Sequence, residues 1–297
     1  MAPTRRLTLI PPLLALAWGL NWPAVKIMLS VMPPFWLRGV GLGGGAVLLL
    51  IAAILAGRRA IPLRCDWPAI ALGGVLNVAI FNLCTAVAQL NTSTSRAAVL
   101  TFTMPMMSAV LAWLLLGERL DRRGALALLL GTVGIALLAW PALQAVRQGQ
   151  AQAWIGLVMP LLAALAWALG SIAIKRRPLA GDALVTTAWQ LLIGAALCAG
   201  LAGLSGEIWP TAWTAPVLWA LAFHICFATA VAYVLWFMLL QQASVTVASL
   251  TTLAVPVVGV LGAMALVGDR PSPLDGLGFG LVLGGAGLSL LRLPAHR

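Results

Sequence analysis

The sequence predicts an all-α membrane protein: ten transmembrane helices, arranged as two inverted five-helix repeats around a central cavity. Three observations predict it. The first is composition. Of 297 residues, 62% are hydrophobic and 8% are charged, with a mean hydropathy of +1.03, whereas a soluble globular chain is about a quarter charged. The second is the length of the apolar runs. Stretches such as 124–143 and 276–293 reach the ~18 apolar residues that mark a bilayer-crossing helix. They fill the chain so completely that too little polar sequence remains to wrap them as buried core helices. The third is duplication. "ALAWGLNWPAVK" at 15–26 returns as "ALAWALGSIAIK" at 164–175, with seven of twelve positions matched, among them Ala15/Ala164, Trp18/Trp167 and Lys26/Lys175.

The spans fall at roughly 7–29, 34–56, 67–89, 93–116, 121–140, 153–175, 182–205, 213–240, 244–267 and 273–292. Joints such as Asn91-Thr92 and Gln242-Ala243 leave room for tight antiparallel hairpins and none for a soluble domain. The net charge of +11 invites a nucleic-acid reading, but its distribution favours a membrane one. With the N-terminus in the cytoplasm, 13 of the 18 basic residues lie on the cytoplasmic side, and only Lys26, Arg38, Arg96, Arg147 and Arg270 do not. That asymmetry is the positive-inside signal, and it places both termini in the cytoplasm. The opening MAPTRRLTLI resembles a signal peptide, yet its apolar run continues without a small-residue cleavage site and reads as the first retained span. The four scattered cysteines, Cys65, Cys84, Cys198 and Cys226, form neither a disulfide framework nor a metal pattern.

The pairing extends along the chain. "AAVLTFTMPMMSAVLAWLLLGER" (97–119) aligns with "ASLTTLAVPVVGVLGAMALVGDR" (248–270), and "GTVGIALL" (131–138) with "GGAGLSLL" (284–291). Residues 1–140 and 153–297 are therefore read as two copies of one five-span unit, joined by an extracytoplasmic linker at 141–152. Five is odd, so the second copy enters the membrane from the opposite side, an architecture common among secondary transporters.

Polar residues within a span are costly, so they mark candidate sites. In the first span, Trp18, Asn21, Trp22 and Val25 share a sector, with Pro23 just after. Lys26 ends this span and Lys175 ends the sixth; both read first as snorkelling lysines. In the third span, Asn77, Phe81, Asn82, Thr85 and Gln89 lie on one broad face. Such a stripe either lines a polar cavity or bonds neighbouring helices; cavity lining is favoured for Asn77 and Asn82. In the fourth and ninth spans, Pro105 and Pro256 lack an amide hydrogen and free the carbonyls of Thr101 and Thr252. Those kinks are candidate hinges, and both threonines are candidate lining. The sixth span offers Trp167 and Ser171 at repeat-related positions. Trp18 and Trp167 sit away from the span ends, where most of the other tryptophans form an interfacial belt, and are read as substrate contacts or as core packing. In the eighth span, an ideal helix cannot aim both His224 and Tyr233 at one cavity. Tyr233 and Trp236 are favoured as lining, and His224 is either a packed neutral histidine or a proton site.

The doubled motif Pro105…Gly117-Glu118-Arg119…Gly131, repeated as Pro256…Gly268-Asp269-Arg270…Gly284, resembles the EamA-type carriers of the drug/metabolite transporter superfamily, as does "AWGLNWPAVK" near the start. Within that superfamily the chain is similar to bacterial amino-acid exporters, including those for aromatic amino acids. It departs where Asp269 replaces the usual Glu and where Gly170-Ser171 replaces an Asn-aromatic pair. The resemblance implies a ten-helix basket with a central cavity in the bacterial inner membrane, exporting small metabolites. A broad drug efflux carrier is the alternative, but it favours an acidic cavity. No Asp or Glu lies in the middle of a span, which points to uniport, exchange or an unusual coupling route. Enzyme motifs such as GxSxG and HExxH are absent, as is a P-loop, so no catalytic residues, metal or cofactor are expected. A channel would have no need of the inverted duplication. The expected partners are the lipid bilayer and a small-molecule substrate, with no nucleic acid. A monomer is compatible with the sequence, which leaves the oligomeric state open.

Overall fold

The structure is a computed structural model and describes residues 10–116, 122–177, 179–233, 235 and 245–290. It is all-α among these residues, with ten membrane-crossing helices. They are α1 (Ile10–Met28), α2 (Pro34–Leu55), α3 (67–91), α4 (94–116), α5 (Arg122–Arg147), α6 (Ile155–Arg176), α7 (Ala183–Leu204), α8 (Ala215–Val231), α9 (Val245–Leu266) and α10 (Pro273–Leu290). Helices are what an apolar solvent demands, because each backbone N–H and C=O must find a partner within its own segment.

The packing is pseudo-symmetric. The main partners are α5 with α10, α2 with α7, α1 with α9, α4 with α6, α3 with α6 and α1 with α8. Exchanging each helix for its counterpart in the other repeat returns the same set of pairs. Every one of these contacts joins one repeat to the other, as two inverted five-helix repeats require.

Three local features depart from uniform α-helix. α4 breaks at Phe102-Thr103, between Thr94–Thr101 and Met104–Leu116. At the break, Thr101 Oγ1 donates to Ala97 O and Thr103 Oγ1 to Leu100 O, both at 2.8 Å. The expected counterpart in α9 is different, since Pro256 lies inside an uninterrupted helix. α3 and α8 each carry a π-helical stretch, at Gly74–Ile80 and His224–Val231. Its i→i+5 bonds widen the helix and turn every later side chain relative to an ideal α-helix. Finally, α5 runs through Pro141 to Arg147, so the first part of the expected linker is helical.

The loops clasp one repeat to the other, and the carboxylates do it. Glu207, between α7 and α8, accepts from the backbone N–H of Phe35 and Trp36 at the start of α2, at 3.1 and 3.0 Å. Asp269 accepts from Ser95 N at 2.8 Å. Asp275 is gripped by Arg96 through Nε at 2.6 Å and Nη2 at 3.0 Å. Between the α2–α3 and α6–α7 loops, Asp66 accepts from Ala180 N at 3.0 Å and Gly181 N at 2.8 Å, and Arg58 pairs with Asp182. Each clasp joins loops that an inverted repeat places at the same end of the bundle.

Candidate substrate-binding site

Two clusters gather six of the candidate residues singled out from the sequence, one cluster for each repeat-related tryptophan. Trp18 on α1 meets Tyr233 edge to face, with ring centroids 6.0 Å apart and an interplanar angle of 77°. Its indole N–H donates to Ala228 O at 3.1 Å, inside the π stretch of α8. Trp167 on α6 packs on Phe81, at 4.9 Å and 54°, and Phe81 is the first residue after the π stretch of α3. Each tryptophan therefore rests on an aromatic ring from the widened helix of the other repeat. All four rings are half-buried.

Polar contacts follow the same plan. Asn77, 7% exposed, lies in the π stretch of α3. Its Nδ2 donates to Trp167 O at 2.9 Å and lies 3.5 Å from Ser171 Oγ, while its Oδ1 has no partner. It fits because residue 170 is glycine: a Cβ there would overlap the Asn77 amide. The repeat pairs Gly170 with Asn21, and Asn21 Oδ1 stands 2.6 Å from His224 Nδ1, at the start of the π stretch of α8. On one side an amide of α1 meets an imidazole; on the other a glycine of α6 admits an amide. The His224 ring lies on Gly41 of α2, where a Cβ would also overlap it.

Other expected residues lie elsewhere. Asn82 turns back on its own helix, donating to Val78 O at 2.9 Å. Ser171 stands at the edge of the Trp167 cluster, exposed and donating to Trp167 O at 2.7 Å. Thr101 is fully buried with its hydroxyl bonded within α4. Pro105 is half-buried beyond the α4 break, and Pro256 is buried. Trp236 and the side chain of Thr252 lie outside the described residues. His224 and Tyr233 belong to one cluster, because the π stretch between them alters the spacing that an ideal helix would impose.

Sequence reasoning missed Arg38 and the glycine face beside it. Arg38 was placed among outward-facing cations near a span end, but it is buried at 2% exposure. The available signal was the run "RGVGLGGGA" at 38–46, since small residues let α2 approach its neighbours closely. Lys26 also turns inward, donating from Nζ to Gln89 O, a cation at the C-terminal end of α3 where the helix dipole favours it.

An inverted pair of five-helix units whose contacts join across the pseudo-symmetry is the architecture of a secondary transporter. Two stretches of the chain, 10–140 and 154–291, match the EamA-like transporter family, and the chain belongs to it; the protein is a multi-pass membrane transporter. Among its relatives, the uncharacterized transporter YvbV of Bacillus subtilis (strain 168) is 27% identical, covering 87% of this chain and 83% of that one. A relative in Escherichia coli (strain K12), named "Probable amino-acid metabolite efflux pump", is 24% identical over 95% of this chain and 93% of its own. A solved crystal structure at 22% identity superposes with a TM-score of 0.64, covering 96% of each chain, and shows the shared fold.

Proposed function

We propose that the protein exports small metabolites, foremost amino acids including aromatic and hydrophobic ones, across the bacterial inner membrane by alternating access. The observation that carries this reading is the pair of repeat-related clusters, Trp18–Asn21–His224–Tyr233 and Trp167–Asn77–Phe81. Each sets half-buried rings beside an amide. An amphipathic solute needs both: ring faces for its apolar side chain, and polar groups for its charged end. In this reading, the clusters border a central cavity, and the α4 break at Phe102-Thr103 is a hinge. Relatives named as amino-acid metabolite efflux pumps in Escherichia coli and Salmonella typhimurium, and one named as an inner membrane transporter, point the same way. No carboxylate takes part in either cluster among the described residues, which weighs against a site built for cationic drugs.

Counterflow in proteoliposomes tests the proposal. Labelled phenylalanine, tryptophan, leucine and threonine are the substrates, with unlabelled amino acid preloaded on the trans side. Trans-stimulation by at least one amino acid is expected. Stimulation by ethidium and by none of the amino acids would favour the drug-efflux reading, and uptake without trans-stimulation would favour a channel.

A further inference from the structure

Arg38 is the only lysine or arginine that is buried among the described residues. It stands one turn into α2, and its Nη2 donates to Thr85 Oγ1 on α3 at 3.0 Å. The Thr85 hydroxyl donates its own hydrogen to Asn82 O at 3.0 Å, so toward the guanidinium it can only accept, and it fixes the orientation of that group. Nε and Nη1 of Arg38 have no partner. A guanidinium carries five N–H bonds in a rigid planar fork. Whichever Nη2 hydrogen Thr85 takes, one complete two-pronged edge stays unpaired, either Nη1 with Nη2 or Nε with Nη2.

Leaving a buried cation unpaired is costly, and folds normally supply a counter-ion. This one does so elsewhere. Arg96 uses its Nε–Nη2 edge to grip Asp275, and Arg58 pairs with Asp182. The five described carboxylates, Asp66, Asp182, Glu207, Asp269 and Asp275, are all engaged in the loop clasps. None reaches the most buried arginine. One turn along α2 from Arg38, against Gly41, His224 Nε2 is a further buried atom without a partner. Unpaired polar atoms thus collect where α2, α3 and α8 meet, beside the Trp18–Asn21–His224–Tyr233 cluster.

We propose that Arg38 is the anchor for a substrate carboxylate, so that the transported solutes are carboxylate-bearing and not simple amines. Its unpaired edge matches the two oxygens of a carboxylate in spacing and plane, which a spherical anion cannot do. Thr85 is a positioning residue that holds the fork, and the aromatic rings take the rest of the solute. The assignment rests on the amino-acid reading above and narrows it.

The test uses full-length protein purified in detergent, with calorimetric binding and thermal stabilisation as readouts. The probes are phenylalanine and leucine, their carboxamides, sodium acetate and sodium chloride. Wild type should bind at least one of the two amino acids about 30-fold or more tightly than its amide, the loss expected when one partner of a buried charged pair is removed. Arg38→Met should bind both members of the pair with the weak affinity of the amide. Arg38→Lys should recover only part of the difference, since a point charge lacks the fork. Equal binding of acid and amide by wild type, or full discrimination by Arg38→Met, overturns the assignment and leaves amino-acid transport standing. If Arg38→Met is not monodisperse, the acid-to-amide ratio in wild type and Arg38→Lys decides. If wild type binds neither amino acid, the amino-acid reading is in difficulty, and the simple anions decide the site. Stabilisation by acetate beyond that by chloride, reduced in Arg38→Lys, keeps the anchor. Equal stabilisation by the two salts, or none by either, overturns it.

Discussion

Gly41 and Gly170 have the same role in opposite repeats, since each gives a polar side chain from a widened helix the room that a Cβ would fill. Gly41→Ala should cost about 1–3 kcal/mol, the usual penalty of overpacking, seen as a lower midpoint of thermal denaturation in detergent. Gly43→Ala is the control on the same helix. Its Cβ would sit 3.6 Å from that of Ala195, an ordinary contact, and its midpoint should stay near wild type. A midpoint for Gly41→Ala equal to that of Gly43→Ala would show that His224 is free to move away. His224 itself is read as a packing group. It is 2% exposed, and because Asn21 Oδ1 accepts, Nδ1 carries the hydrogen. The Gln amide offers the same donor, so His224→Gln should retain most of the counterflow and the pH profile of wild type. A profile flattened by the substitution, with binding retained, would make this histidine a proton switch.

Helix by helix, the two repeats part company at α4 and α9. Their prolines look equivalent in the sequence, yet only α4 breaks. One difference lies two residues before each proline. Thr103 supplies a hydroxyl to the Leu100 carbonyl, whereas its counterpart is Ala254, which has none to give. If the α4 break is the hinge of alternation, Pro105→Ala should let the helix close up and slow counterflow by roughly tenfold, equivalent to about 1.4 kcal/mol. Pro256→Ala should leave the rate close to wild type. Equal effects of the two substitutions would place the hinge elsewhere. The ten helices and their pairing into repeats were legible, because hydropathy and the Trp18/Trp167 register are carried by many residues at once. The π stretches were not: helical-wheel reasoning assumes one period throughout, and a widened turn breaks that assumption at His224 and Tyr233. Asn77 was legible as a polar residue within a span and Trp167 as the repeat partner of Trp18, but their contact with each other was not. Arg38 was not, because a cation one turn from a span end looks like any interfacial cation until its burial is known.

For the whole molecule, the even number of spans puts both termini on one side, and the charge asymmetry between the two faces predicts which side that is. Both termini are expected in the cytoplasm with exposed Cys65 of the α2–α3 loop, and the exposed turn at Gln148 is expected on the opposite side. In a background with all four native cysteines replaced by serine, Gln148→Cys should react with an impermeant thiol reagent on intact spheroplasts. With Cys65 alone restored, labelling should appear only after lysis. The reverse pattern would invert the molecule in the membrane.

The loop clasps also bear on how the two halves recognise each other. The first half offers mostly donors: Arg58, Arg96 and the backbone N–H groups of Phe35, Trp36 and Ser95. The second offers mostly carboxylates: Asp182, Glu207, Asp269 and Asp275. Two first halves brought together would set donor against donor, and two second halves carboxylate against carboxylate. Like-charge juxtaposition of this kind excludes wrong partners. The covalent join between α5 and α6 is then a tether and not the source of specificity. Residues 1–149 and 150–297, produced as separate polypeptides in one cell, should find each other, co-purify as a one-to-one pair and transport. Either fragment produced alone should form no stable pair with itself. Recovery of a self-paired fragment as stable as the mixed one would show that apolar packing alone selects the partner.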